Sequence, residues 1–192
     1  MFRPYAVFLL LLGAAWQAQA GWYLDNESSR ISFISSKQGT LSEVHRFLTL
    51  HGTIDDAGQA LLRIELDSVS TGVPLRDQRL RQWLFEVAHF PEARVAARLD
   101  LGPITNLAPG AQLELRLPLS LTLHGKTRHY QADLLATRLD DHRFQVVTLA
   151  PLVLQAPDFG LAAGLERLRA GAGLDLLSPS VPVGAVLIFG ER

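Results

Sequence analysis

The chain has 192 residues and no cysteine, which excludes disulfide bonds, cysteine-ligated zinc and thiol catalysis. Its 18 basic and 19 acidic residues give a formal net charge of −1, so there is no electrostatic case for binding nucleic acid or an anionic membrane. The length suffices for one domain with a full core, stabilised by packing alone.

The first 20 residues have the pattern of a secretory signal peptide. Arg3 precedes a short apolar run, and the tripeptide Ala-Gln-Ala just before Gly21 fits a signal-peptidase site. The run is shorter than the roughly 20 residues that a membrane-spanning helix needs. We therefore expect residues 1–20 to be removed on export to a bacterial periplasm, leaving residues 21–192 as one domain.

Alternation of apolar and polar residues dominates the rest of the chain. The segment "LELRLPLSLTL" has leucine at every second position of residues 113–123, which places all six on one face of a strand. Pro118 lies among the outward residues and indicates an edge, a bend or a bulge. Similar segments, separated by turn signals, predict about eight strands in all; the others are near residues 31–34, 48–54, 62–67, 94–101, 130–136, 144–155 and 181–189.

Two stretches break this alternation. In "STGVPLRDQRLRQWLFEVAHFP" the apolar residues have helical spacing, which predicts an amphipathic helix over residues 75–88. Asp77 and Arg81 are four residues apart on that helix and are expected to pair. The later stretch "DFGLAAGLERLRAGAGL" predicts a second, looser helix after Asp158, because glycine weakens helices.

Antiparallel strands with one apolar face bury that face in a sandwich or a closed barrel. Eight strands with only two short helical insertions favour a mainly β fold, an antiparallel eight-stranded barrel with one or two short helices. A membrane-spanning barrel also alternates, but the segment after residue 20 has too few Trp and Tyr residues for the aromatic girdles of such a barrel. We therefore expect a barrel that is not embedded in a membrane.

Four blocks of sequence carry more specific motifs: "GWYLDNESSRISF", "LDSVSTGVPLRDQRLRQWLFEVAHFPEARV", "LTLHGKT" and "DFG". The second has Ser and Thr three residues apart, an Arg-Asp pair and a closing Phe-Pro. Together the blocks resemble the YceI-like family over nearly the whole chain after residue 20. The chain departs from the family pattern at Glu27-Ser28, at Arg128-His129 and in the segment 162–176, which is rich in Leu, Gly and Ala.

The resemblance implies a periplasmic, lipocalin-like barrel that encloses a long apolar cavity for a polyisoprenoid or quinone-like chain, with no common catalytic activity and no cofactor. Leucine rows alone leave open whether the interior is a cavity or a solid core, because side chains can fill an eight-stranded barrel. The resemblance favours the cavity. The predicted ligand-binding residues are Phe33, Leu50, Gly52, Ile64, Leu84, Ala97, Leu117, Leu119, Ala132 and Ala185, with Arg76 and Arg79 as candidates for contacting a polar head group.

Two other functions remain open. A hydrolase would need a His within hydrogen-bond reach of a Ser or a carboxylate in a cleft, although the chain has no nucleophile-elbow or phosphate-loop motif. A ligand-free barrel that binds a partner would have an interior completely filled by leucine. His45, His51, His124 and His129 do not have the spacing of a known zinc motif, so we expect no metal.

Overall fold

A computed structural model describes residues 21–191, in which one antiparallel sheet closes on itself. Its strand segments are β1 (Trp22–Leu24), β2 (Arg30–Lys37), β3 (Leu41–Phe47), β4 (Leu50–Ile54), β5 (Gln59–Glu65), β6 (Val69–Ser70), β7 (Glu92–Arg98), β8 (Gln112–Leu123), β9 (Lys126–Asp140), β10 (Arg143–Thr148), β11 (Leu152–Gln155) and β12 (Ser180–Glu191). The helices are α1 (Pro74–Arg79), α2 (Gly102–Thr105) and α3 (Ala162–Gly171). A π-helical turn (Leu80–Leu84) continues α1, and short 3-10 turns span Leu66–Ser68 and Ala156–Phe159.

These twelve segments form the eight strands of a barrel, because four of the barrel strands are kinked and consist of two segments each. The kinked barrel strands are β1 with β2, β3 with β4, β5 with β6, and β10 with β11. Consecutive barrel strands pair antiparallel, and β12 closes the barrel by pairing with β10 and β11 along one edge and with β1 and β2 along the other. The predicted closed, antiparallel, eight-stranded barrel with few short helices is confirmed.

Side chains supply the hydrogen bonds that the kinks remove from the ladders. Asn26, between β1 and β2, accepts a hydrogen bond from the Leu50 backbone at 2.6 Å. Thr148, at the end of β10, accepts one from the Ala185 backbone at 3.1 Å. These bonds satisfy the backbone N–H groups of Leu50 and Ala185, which have no ladder partner at the kinks.

The proline in the leucine-rich strand occupies an edge position, as the sequence indicated. In β8 the leucines point inward and the residues between them point outward. The ladder between β7 and β8 covers only Leu119 to Thr122, so Pro118 lies just beyond its end. The missing N–H of Pro118 therefore interrupts no bond to β7.

The end of the barrel that carries α2 is closed by apolar side chains. Trp22 and Phe144 meet edge to face at 4.7 Å between ring centroids, and Phe144 stacks on Phe189 at 5.4 Å. Ile104 of α2 is completely buried beside them, and so is Phe144. We call Trp22, Ile54, Ile104, Phe144 and Phe189 the base cluster.

The opposite end is covered by the two predicted helices. We call residues 74–84 and 162–171 the cap. Trp83 lies between the guanidinium groups of Arg79 and Arg167, at 5.1 and 4.6 Å from the ring centroid. Gly164 allows α3 to pack directly on the π-helical turn, since a Cβ at this position would lie 2.4 Å from the Trp83 carbonyl oxygen.

The predicted ion pair between Asp77 and Arg81 in the cap is wrong. Asp77 does not pair with Arg81 but accepts hydrogen bonds from the backbone N–H and the hydroxyl of Thr71. Arg81 instead lies 3.5 Å from the exposed carboxylate of Asp67. The physical reason is local, because the N–H of Thr71 has no ladder partner before the helix and a carboxylate satisfies it.

Candidate functional site

The inner wall between the base cluster and the cap has apolar side chains that remain partly exposed. Alternation along the hydrogen-bonded strands turns the strand residues among them toward the barrel interior. They include Phe33, Phe47, Leu62, Val95, Ala97, Leu117, Leu119, Ala185 and Leu187, and from the cap Leu84 and Leu165. We call the barrel interior that they line the lumen.

The predicted ligand-binding residues fall into two groups. Phe33, Ala97, Leu117, Leu119 and Ala185 lie on the inner wall, and Leu84 faces it from the cap; all six are partly exposed. The others are close-packed: Leu50, Ile64 and Ala132 are buried, and a Cβ on Gly52 would lie 2.9 Å from the Leu24 Cβ. The first group borders the lumen directly, and ligand contact stays a prediction for both groups.

The two predicted head-group arginines make contacts within the protein. Arg76 donates from Nη1 to Glu43 and from Nη2 to the Thr71 carbonyl, both at 2.8 Å. Arg79 stacks on Trp83 and donates to the Gly171 carbonyl at 3.0 Å. Arg76 therefore ties α1 to β3, and Arg79 ties the two halves of the cap together. A contact from either arginine to a ligand stays a prediction.

A group of polar side chains interrupts the apolar inner wall below α1. We call Ser35, Lys37, Glu43, His45 and Arg76 the inner polar cluster. Glu43 accepts hydrogen bonds from Lys37 at 2.7 Å and from Arg76 at 2.8 Å. The bond from Lys37 lowers the pKa of the Glu43 carboxyl, and Arg76 adds to this against the opposing effect of burial. The carboxylate thus stays charged and holds both cations.

His45 is the most buried member of this cluster, at 4% exposure. Its Nε2 lies 2.8 Å from the Ser35 hydroxyl oxygen, and its ring meets Phe33 edge to face at 5.2 Å. Burial, and then the positive charge of Arg76, lower the pKa of His45 below its ordinary value. The imidazole is therefore neutral near neutral pH.

The Ser35–His45 pair meets only part of the requirement for a nucleophilic serine. In serine hydrolases a carboxylate accepts a hydrogen bond from Nδ1, which orients the ring and stabilises its protonated form. Among residues 21–191, no group hydrogen-bonds to the buried Nδ1 of His45. The arrangement instead leaves a neutral imidazole with one buried nitrogen that has no partner.

Tyr130 is a further polar residue on the inner wall. It is partly exposed and lies opposite Leu119 in the ladder between β8 and β9. Burial, and secondly the negative charge of Asp158, raise the pKa of the Tyr130 hydroxyl. The group therefore stays a neutral phenol.

The sequence motifs that indicated a family meet at the helical end. The Phe90 ring packs on His124 at 4.2 Å between ring centroids, and Gly125 leaves space for that ring. Lys126 packs against Gly160 of the "DFG" block. These blocks are far apart in sequence, and their contacts join the turn after β8 to the two connections that carry the cap.

A groove of about 630 Å³ crosses the outer wall and is lined mainly by outward-facing residues of β2, β3 and β12, among them Arg30 and Arg46. Within residues 21–191, no cluster of three or more His, Asp or Glu side chains is arranged to hold a metal ion. In the same part of the chain, no helix is both long and apolar enough to cross a membrane.

A closed eight-stranded barrel with an apolar lumen below a helical cap defines a lipocalin-like barrel protein. The sequence-family model of the YceI-like domain matches residues 22–188, so the chain belongs to the YceI-like family. The expected family is thereby confirmed.

Two solved structures agree with this assignment. A polyisoprenoid binding domain from Saccharophagus degradans, implicated in plant cell wall breakdown, is 38% identical. The match covers 89% of this chain and 98% of that domain, with a TM-score of 0.87. BcnA from Burkholderia cenocepacia is 14% identical, with a TM-score of 0.65 over 86% of this chain and 98% of BcnA, and shares the fold. A search of curated proteins finds no match.

Proposed function

We propose that this protein binds and carries a long-chain isoprenoid or quinone-like amphiphile in its lumen and catalyses no reaction on it. The observation that carries the proposal is the inner wall, where apolar side chains remain partly exposed inside a closed barrel. The similarity to a domain described as polyisoprenoid binding supports the ligand class.

The binding energy would come from burial of the ligand's hydrocarbon chain. Each methylene group that moves from water into an apolar channel contributes about 0.8 kcal/mol before any losses. Ordering a flexible chain offsets part of this gain. A few isoprene units would therefore give useful affinity without a hydrogen bond.

A solid, ligand-free barrel is the main structural alternative. Such a barrel would bury its inward leucines completely, whereas Leu117 and Leu119 keep exposed surface. A hydrolase would rely on the Ser35–His45 pair, but the lowered pKa of His45 makes it a weak base and its Nδ1 has no carboxylate. We therefore propose neither function.

Extraction of a bound lipid tests the proposal directly. The protein would be purified from a bacterial periplasm and analysed by native mass spectrometry, before and after incubation with ubiquinone and polyprenol. We expect an isoprenoid adduct with the wild type. Protein that is repeatedly free of lipid and ignores both additives would contradict the proposal.

Matched variants on the two faces of β7 locate the binding site. Ala97 points inward and Ala96 points outward. Ala97→Phe should fill part of the lumen and weaken binding, whereas Ala96→Phe should leave binding unchanged. Ala185→Phe, on strand β12, is a second blocking variant in case Ala97→Phe fails to fold. Equal binding by all three folded variants would place the ligand elsewhere.

We also propose that residues 1–20, which lie outside the described residues, direct export to the periplasm. The apolar run and the Ala-Gln-Ala site before Gly21 support this. Fractionation of expressing cells, with N-terminal sequencing of the product, should find a periplasmic protein that begins at Gly21. A full-length product that stays in the cytoplasm would overturn this part of the proposal.

A further inference from the structure

The inner polar cluster contains buried hydrogen-bonding groups that nothing in residues 21–191 satisfies. His45 points inward from β3, since its neighbour Val44 is 71% exposed and Arg46 is also exposed on the outer face. It lies directly opposite Phe33 in the ladder between β2 and β3. Phe47, two residues along β3, packs 5.4 Å from Phe33. A polar ring is thus set among aromatic rings at the edge of the lumen.

Two buried nitrogens of the inner polar cluster have no hydrogen-bond partner within residues 21–191. They are Nδ1 of His45 and Nε of Arg76. The other atoms of both side chains are satisfied, by Ser35 for His45 and by Glu43 and the Thr71 carbonyl for Arg76. Leaving a buried polar atom unpaired destabilises the folded protein. Two such atoms in one cluster point to a group that completes them.

The charges of this region select the kind of group. Lys37 and Arg76 both pair with Glu43, and Asp77 lies close by on α1, held by Thr71. The two cations and two carboxylates balance, so there is no surplus positive charge for a phosphate. Arg76 Nε–H can only donate, and a neutral imidazole nitrogen either donates or accepts. The complementary group is therefore uncharged and has an oxygen that accepts a hydrogen bond.

We propose that His45, together with Arg76, anchors the uncharged oxygen head group of the amphiphile, such as a quinone carbonyl or a prenol hydroxyl, while the chain extends along the apolar wall. This inference rests on the proposed function and adds a head-group preference to it. It predicts selection by the head as well as by the chain. A neutral head should be preferred over both a phosphorylated head and no head.

Four ligands with isoprenoid chains separate these possibilities: ubiquinone, a long-chain polyprenol, the corresponding polyprenyl phosphate, and squalene, which has no polar head. Dissociation constants would be measured for the wild type and for His45→Phe, which removes both ring nitrogens. A buried hydrogen bond corresponds to roughly a 10-fold change in affinity. We expect His45→Phe to weaken ubiquinone or polyprenol binding by about that factor and to leave squalene binding unchanged.

Two further variants control this experiment. His129→Phe makes the same substitution at an exposed position of β9 and should change nothing. Tyr130→Phe removes the phenolic hydroxyl from the inner wall and tests a rival anchor. The proposal is overturned if Tyr130→Phe, rather than His45→Phe, removes the head-group preference. It is also overturned if the wild type binds the phosphate more tightly than the alcohol.

A readout on the wild type covers the case in which His45→Phe does not fold. The ¹⁵N resonance of His45 Nδ1 should shift when ubiquinone or polyprenol is added and should stay in place with squalene. Binding without such a shift would overturn the head-group assignment and leave the carrier function intact. Failure of all four ligands, squalene included, to bind would contradict the carrier function itself.

Discussion

The two ends of the barrel close the same cylinder in different ways. At the base, three aromatic rings and Ile104 pack together, and each is at most 5% exposed. At the helical end, the cap lies over inner-wall side chains that remain partly exposed and over the inner polar cluster. Most strands alternate in the same way at both ends, but β3 reverses the pattern and turns His45 inward. The difference therefore comes mainly from the connections, which are short turns and α2 at the base and the helical segments of the cap at the other end, and from the polar residues of β2 and β3 below the cap.

The largest expected effect tests the packing at the base. Phe144→Ala should lower the free energy of unfolding by about 3–5 kcal/mol, because it opens a cavity among fully buried side chains. Phe33→Ala on the inner wall should lower it by only about 1–2 kcal/mol, because the Phe33 ring is already partly exposed. Urea denaturation measures both. Equal losses would mean that the two ends are equally close-packed.

A substitution in the cap should have the next largest effect. Gly164→Ala would bring a Cβ within 2.4 Å of the Trp83 carbonyl oxygen and push α3 away from the π-helical turn. We expect a loss of about 1–3 kcal/mol, with faster amide exchange in the cap and unchanged exchange at the base. Gly184→Ala is the control, since the nearest atom would be 3.5 Å away. A rise in exchange at both ends would show that the ends unfold together.

Acidification should weaken the helical end through His45. The pKa of His45 is lowered in the folded protein, so below about pH 6.5 the unfolded chain binds more protons and stability falls as the pH drops. Glu43 acts in a more acidic range, because its lowered pKa keeps the stabilising charge until the pH falls below about 4.5. Denaturation midpoints at pH 7.5 and 5.5 should differ less in His45→Gln than in the wild type. His129→Gln should behave as the wild type, and a wild-type slope in His45→Gln would contradict the assignment.

The smallest effect concerns the two carboxylates near Arg81. The side chain of Asp67 is 76% exposed, so Asp67→Asn should change the stability by less than about 0.5 kcal/mol. Asp77→Asn should be more costly by about 1 kcal/mol, because it weakens the acceptor for two groups of Thr71. Urea denaturation of both variants compares them. A larger effect at Asp67 would mean that its pair with Arg81 holds the cap.

The sequence was informative where each strand had one apolar face. Six leucines at alternating positions predicted β8 with all six on one face, and the scarcity of Trp and Tyr indicated that this face points inward. Helical spacing in the segment 75–88 predicted the first half of the cap. Strand β3 was missed because its pattern is inverted. Val44 is exposed and His45 is buried, since the inner polar cluster occupies this part of the wall.

The inner polar cluster could not be predicted for a related reason. Ser35 and Lys37 look like solvent-facing residues, and Glu43 is on the strand that alternation failed to reveal. Their proximity depends on the register between β2 and β3 and on the position of α1, both of which are tertiary. The sequence identified Arg76 as a candidate for contacting a head group. It did not identify Glu43, which accepts a hydrogen bond from Arg76.

The shared strand β12 also has a consequence for how the chain folds. It pairs with β1 and β2 from one end of the described chain and with β10 and β11 from the other, including Trp22 opposite Glu191. Contacts of such long sequence separation form slowly, because a large loop must close before they can contribute. Until β12 is in place, β1, β2, β10 and β11 present unpaired edges on which another chain can add a strand. Aggregation during refolding should therefore depend on how quickly this last strand closes the ring.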